Sequence, residues 1–466
     1  MRMKSQTIQA NLSIETGAGT ITSTSAYVWY NWLLNTEADQ SPIPLFNFVH
    51  HEKFNQFSQE LRFTSNTGGK FDYIVGAFYQ RDDLNLWANF EGNFASIGVP
   101  VPAFARRIRL DQITNNYSGF VEGNYHFTDQ LTLNVGLRYM HVDKDASQMS
   151  RAWDILTDTP RPDLEVSPGG GRLSPFAMFY GTPHNYDDLS LSEDHWMPQA
   201  LLQYKFGTHM IFAKFVQGAK AGGFDWAYGG TNPNQAKFGA EKADSYEIGI
   251  KGSFLDNSLT YGLTLFQEDV KNLQVSSFDG ALGYLVGNAA KTRSKGVEAE
   301  VSWNITPNFR VNGSGGYTDA KYLDYKGAAC YVEMRLTWPA SAGPCRRDMS
   351  GGRMPFTAKW NFAVGAQHTL ELPGYSVTTG VNYAWRDRTN VAAISDPGQW
   401  ERSVGLLDAR IALSPEGGEW TFAVYGKNLT NEWYSTYGTE APSNPLVRLR
   451  NTERPRQIGL ELGWRF

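Results

Sequence analysis

Apolar and polar residues alternate one by one along most of this chain, and the alternating segments are joined in turn by tight turns and by long polar connections. Leu131, Leu133, Val135, Leu137 and Tyr139 share one parity, opposed by Thr132, Asn134, Gly136 and Arg138. Val297, Ala299, Val301 and Trp303 stand against Glu298, Glu300, Ser302 and Asn304 in the same way. The chain ends on Ile458, Leu460, Leu462, Trp464 and Phe466, again of one parity. A strand sends successive side chains to opposite faces, so each segment has one apolar and one polar face. No segment carries a helical period. The chain is predicted to be all-β.

Turn chemistry then sets the connectivity. Eight hairpins are predicted, at 4–15/20–33, 55–65/70–81, 113–127/130–143, 195–206/209–218, 242–255/258–270, 293–305/308–320, 357–371/374–386 and 403–414/418–429. Their turns contain T-G-A-G, N-T-G-G, Asp256-Asn257 and L-P-G, residues that supply positive φ or pre-set a bend. Between hairpins lie long polar stretches such as 82–112, 144–194, 219–241, 321–356 and 430–453. In an up-and-down barrel this alternation puts every tight turn at one rim and every long connection at the other, as in outer-membrane barrels. A soluble sandwich also alternates, but it gives no reason for connections to segregate by length. Many strands reach the roughly 10 residues that a tilted membrane strand needs. Aromatic residues gather beside the tight turns: Tyr125 with Phe127, Trp303 with Phe309, Trp464 with Phe466. An interfacial girdle requires that placement. No apolar run is long enough for a membrane helix, so strands must do the crossing.

Strand parity bears on completeness. A seventeenth strand at 454–466 follows a long connection, so it runs in the same sense as the first strand at 4–15. Two such strands cannot close an antiparallel sheet, and an open edge in lipid leaves backbone groups unpaired. The N-terminal M-R-M-K-S-Q-T-I also lacks the apolar core of a signal peptide. The expectation is a transmembrane antiparallel up-and-down β-barrel, incomplete at about 17 strands of a larger one. Residues 1–466 would form a single barrel domain and the C-terminal part of a longer polypeptide.

Several blocks carry a resemblance. V-Q-G-A-K-A-G-G-F-D-W (216–226), F-G-A-E-K-A-D-S-Y-E-I-G-I-K-G (238–252), D-M-S-G-G-R-M-P-F (348–356), K-N-L-T-N-E-W-Y (427–434) and the terminal R-P-R-Q-I-G-L-E-L-G-W-R-F together resemble the TonB-dependent outer-membrane receptor barrel. That family implies a barrel of about 22 strands enclosing a plug, with the plug and TonB box N-terminal to it. This chain has neither, and about five strands would be missing. The resemblance also implies localisation to the outer membrane and uptake of a scarce nutrient, foremost an iron–siderophore complex, with cobalamin or oligosaccharide as other cargo. Its partners would be membrane lipid, the TonB energy-coupling complex through the N-terminal part, and the barrel-assembly machinery. Trp464 and Phe466 match the family's C-terminal assembly signal. A plugless porin-like channel and a non-functional receptor fragment are the alternatives.

Chemistry-bearing motifs are sparse. The eight histidines are scattered without zinc-ligand spacing. No G-x-S-x-G elbow or phosphate loop has its required setting. No catalytic residue, cofactor or metal site is therefore expected. A net charge of −5 without a basic block argues against nucleic acid. Cys330 and Cys345, the only two cysteines, fall in one long connection. A disulfide between them in an oxidising compartment would stabilise that loop by roughly 3 kcal/mol; two free thiols are the alternative. For ligand contact the candidates are Trp226 and Tyr228 in the third of these connections and Arg346 and Arg347 beside the cysteine loop, against a solvated-loop role for each.

Overall fold

The computed structural model describes residues 1–38, 44–66, 68–169, 172–278, 284–339, 342, 345–441 and 444–465. Among them one antiparallel sheet dominates, with eighteen members, or seventeen once the two-residue Thr159–Pro160 is set aside. The first group is β1 (Arg2–Thr16), β2 (Gly19–Glu37), β3 (Phe46–Ser65), β4 (Phe71–Gly92), β5 (Phe104–His126) and β6 (Leu131–Asp154). β7 (His184–Phe206), β8 (His209–Lys220), β9 (Glu241–Phe254), β10 (Leu259–Phe278), β11 (Tyr284–Thr306) and β12 (Phe309–Asp324) follow. The last are β13 (Trp360–Leu372), β14 (Tyr375–Arg386), β15 (Val404–Pro415), β16 (Trp420–Lys427) and β17 (Gln457–Trp464). Each strand pairs with the next in sequence, the order of an up-and-down barrel. All eight predicted hairpins are present. The sheet does not close: among the described residues β1 pairs only with β2, and β17 only with β16.

Register lines the apolar parities of neighbouring strands up on one face. Val75, Val121, Leu137 and Pro198 stand side by side there, as do Leu265, Val297 and Tyr317 farther along. Val121 and Val135 are about half exposed, at 50% and 49%, so lipid and not protein must cover this face. Two aromatic rows bound it. Near the tight turns run Phe71, Tyr125, Tyr204, Phe254, Trp303 and Trp464; toward the long connections run Tyr27, Phe57, Tyr117, Trp196, Tyr246 and Trp360. The eight-residue step from Tyr117 to Tyr125 covers about 20 Å at barrel tilt, close to the apolar height of a membrane barrel. Phe466, expected in the lower row, lies outside the described residues.

The strands extend farther than the sequence pattern suggested. Strand continues into both ends of the stretches 82–112 and 144–194, with β4 to β7 running 20 residues or more and projecting well past the outer aromatic row. The reason is an inversion of pattern. On β4, Tyr73, Val75 and Tyr79 face lipid, but beyond Arg81 that face carries Asp83, Asn85 and Asn89, while Leu84, Leu86 and Ala88 turn inward. Above the membrane the outside meets water and the inside meets protein. Two six-residue helices, Pro175–Tyr180 and Val332–Thr337, lie in the connections at this end. No helix among the described residues is long and apolar enough to cross a membrane.

Candidate functional site

The inner face of the projecting wall, above the outer aromatic row, holds the densest side-chain chemistry. Leu86, Leu110, Ala146 and Leu189 from four successive long strands form a buried cluster that receives Phe224, with Trp226 against its edge. Both aromatics belong to the 221–240 connection, which folds back into the lumen instead of out into solvent. Wall residues pin its backbone. The Arg106 guanidinium donates to the Ala227 and Tyr228 carbonyls at 2.8 Å each, and Gln148 donates to those of Asp225 and Trp226 at 3.0 Å each. At the root of the loop, the Glu193 carboxylate accepts from the Gly222 and Ala240 amides at 2.8 and 3.2 Å. Buried backbone must find partners, and here side chains of the wall supply them.

Trp226 thereby becomes one wall of an aromatic box. His50 lies edge-on to it at 5.6 Å, and Phe90 stacks at 6.1 Å; Phe48 packs on Phe90 at 4.7 Å, and Trp32 on His50 at 4.7 Å. Below the box, Glu52 accepts the Tyr30 hydroxyl and pairs with His50 Nε2 at 3.1 Å. The hydrogen bond from His50 holds the Glu52 carboxyl below the usual carboxylate range, despite burial. Burial is also the main reason the Lys144 ammonium is pushed below its ordinary value, with Glu193 and Asp82 opposing that shift. The site therefore offers flat aromatic surface, a carboxylate and a partly desolvated cation facing one lumen. Such surroundings suit a bulky ligand carrying aromatic or anionic groups. Among the described residues no group of three His, Cys, Asp or Glu could hold a metal ion.

The other sequence candidates sit elsewhere. Tyr228 is buried and donates its hydroxyl to Gln235 at 3.0 Å, so its ring is internal to the loop. Cys330 and Cys345 are joined in a disulfide with Cα atoms 5.8 Å apart. Arg346 pairs with Ala329 in a two-residue ladder, and Arg347 donates to the Ala329 and Ile394 carbonyls with its guanidinium over Tyr331. This connection is stapled to its neighbours. Arg448 binds the fully buried Asp396 at 2.7 Å as well as Glu333, and Arg335 binds Glu440. Cys345, Arg346 and Arg347 thus belong to the connection between β12 and β13, four strands along the sheet from the one that carries Trp226. His50, Phe48 and Phe90 were not singled out from the sequence, because they fall in stretches that read as connections. The spacing Phe46, Phe48, His50 and Leu84, Leu86, Ala88, Phe90 is the signal that would have found them.

Three comparisons place this architecture. The family model described as TonB dependent receptor-like, beta-barrel matches residues 2–429. The ferric-pyoverdine BN7/BN8 receptor of Pseudomonas putida is 23% identical over 332 residues, covering 69% of this chain and 34% of that protein. The catecholate siderophore receptor Fiu of Escherichia coli K12 is 30% identical over 162 residues, covering 33% of this chain and 20% of that protein. Among solved structures, the ferric yersiniabactin uptake receptor FyuA of Yersinia pestis superposes with a TM-score of 0.75 at 16% identity, over 99% of this chain and 60% of that one. The chain thus spans about a third and a fifth of the length of these two curated relatives. Open membrane sheet, long outer connections and a family match over nearly its whole length agree: this chain belongs to the TonB dependent receptor-like β-barrel family of the outer membrane.

Proposed function

We propose that this chain is the barrel portion of an outer-membrane receptor for an iron–siderophore complex. In this reading a plug and the first strands are supplied by polypeptide N-terminal to residue 1, and uptake is energised through TonB. The observation that carries the reading is the box of Trp32, Phe48, His50, Phe90 and Trp226 above Lys144, on the lumen side of the outer wall. Siderophore complexes present flat, electron-rich and often anionic chelating groups, which aromatic faces and a cation complement. The relatives named above, ferric-pyoverdine and catecholate siderophore receptors, support the same cargo. The test is tryptophan fluorescence of the full-length receptor titrated with ferric pyoverdine, a ferric catecholate, cobalamin and a maltooligosaccharide. A ferric siderophore should quench saturably, and Trp226→Ala should weaken it about tenfold, the cost of one aromatic contact. Saturable binding of cobalamin or the oligosaccharide alone would overturn the siderophore assignment.

A further inference from the structure

The lipid-facing wall is interrupted at one place. Ala77 and Gly119 are cross-strand partners on the outward face of β4 and β5, with Tyr79 and Tyr117 in contact above them at 5.1 Å. Leu61 and Tyr139 stand on either side in the same row. The two small residues leave a notch of about 380 Å³ in a surface otherwise covered by large side chains. At its upper edge Gln59 is held by Ser23 at 3.0 Å and by Ser25. Directly above Tyr79, two residues on and of the same parity, Arg81 is exposed and forms no ion pair among the described residues. Its cross-strand partner Asn115 accepts the Tyr79 hydroxyl at 3.1 Å, which leaves the carboxamide NH2 free to donate. Farther along, Asp143 and Asp194 are engaged by His141 at 3.0 and 2.9 Å.

We propose that this notch seats one acyl chain of a phosphate-bearing lipid of the outer leaflet, its phosphate on Arg81 and Asn115. The depth matches. The notch opens at the outer aromatic row, where acyl chains meet headgroups, and Arg81, which forms no ion pair among the described residues, lies one step higher. The charge matches as well: Asp143 and Asp194 are engaged by His141, and Asp83, the next outward residue on β4, lies one step farther from the membrane than Arg81, so Arg81 is the charged group nearest the notch and selects an anion.

The test is native mass spectrometry of the full-length receptor, extracted with its membrane and washed into neutral detergent. Wild type should retain one phosphate-bearing lipid per chain. Gly119→Leu should lose it: a Cβ added at Gly119 meets nothing within 4 Å, so the leucine fills the notch without disturbing the strand. Heat-modified gel mobility establishes that this variant is folded, and Ala77→Leu is a second filling variant. Arg81→Gln should reduce retention about fivefold. Retention unchanged in both leucine variants, or equal retention of an uncharged lipid, would overturn the proposal.

Discussion

Two residues show how much a single side chain decides here. Asn428 sits just past β16 at φ 50°, a backbone region that asparagine tolerates and most residues do not. Its carboxamide donates to the Glu432 and Arg454 carbonyls at 2.9 and 3.2 Å and accepts the Glu432 amide at 2.9 Å, tying the K-N-L-T-N-E-W-Y turn to the segment entering β17. Asn428→Ala should cost about 3 kcal/mol, one part from the left-handed backbone and the rest from orphaned buried groups. Urea unfolding of the receptor in lipid vesicles measures it. His141 makes a prediction in pH. Its hydrogen bond to Asp194, seconded by Asp143, raises the imidazole above its ordinary 6.5. A raised pKa means the folded state holds the proton more tightly, so this contribution is full in acid and is lost as pH rises through the folded value. Histidine NMR titration should show Asp194→Asn moving that midpoint down. Sequence reading gave neither residue its role: Asn428 stood in the 427–434 block with no sign of its bond to Arg454, and Asp194, the main partner of His141, lies 53 residues on, on β7.

At the scale of elements, legibility followed the solvent. The membrane portions of the strands were readable because lipid demands an apolar outside, and Leu131 to Tyr139 satisfies that demand in every second position. The upper halves were not, since the same strands reverse their pattern once water replaces lipid. Leu84 and Leu86 point inward beside outward Asn85 and Trp87, and a reader following the lower parity loses the strand there. The 219–241 connection was legible as a long outer connection carrying Trp226 and Tyr228, but not as an inserted one, because its anchors Arg106 and Gln148 lie far upstream. Those anchors define the next prediction. Arg106 is buried, with Nε on Ser150 at 2.9 Å and a terminal amine on two loop carbonyls. Arg106→Met keeps bulk and removes the donors, which should lower the local opening free energy of residues 224–228 by about 2 kcal/mol. Hydrogen exchange would read this as faster amide exchange in the loop, while β5 and β6 below the outer aromatic row keep their protection.

At the largest scale, the decisive fact is that the seventeen antiparallel strands among the described residues end as they begin. β1 runs toward its tight turn and β17 runs in from a long connection, so both descend through the membrane in the same sense. A second copy does not solve the problem. Two copies share one orientation in the bilayer, so β17 of one would meet β1 of the other in parallel. The lengths also disagree, 15 residues against 8. Antiparallel closure therefore takes an odd number of further strands, the first antiparallel to β1 and the last to β17. Both strands are exposed over nearly their whole length, which in lipid would leave a row of unpaired amides on each. Residues 1–466 reconstituted alone should accordingly give rapid amide exchange along 2–16 and 457–464, and no species resistant to detergent at room temperature on a gel. Joined to upstream polypeptide that supplies the intervening strands, both edges should become as protected as β5 and β6. Slow exchange at both edges in the isolated chain, with a steady single-channel conductance, would mean instead that β1 and β17 meet in parallel and that the open lumen is a passive pore.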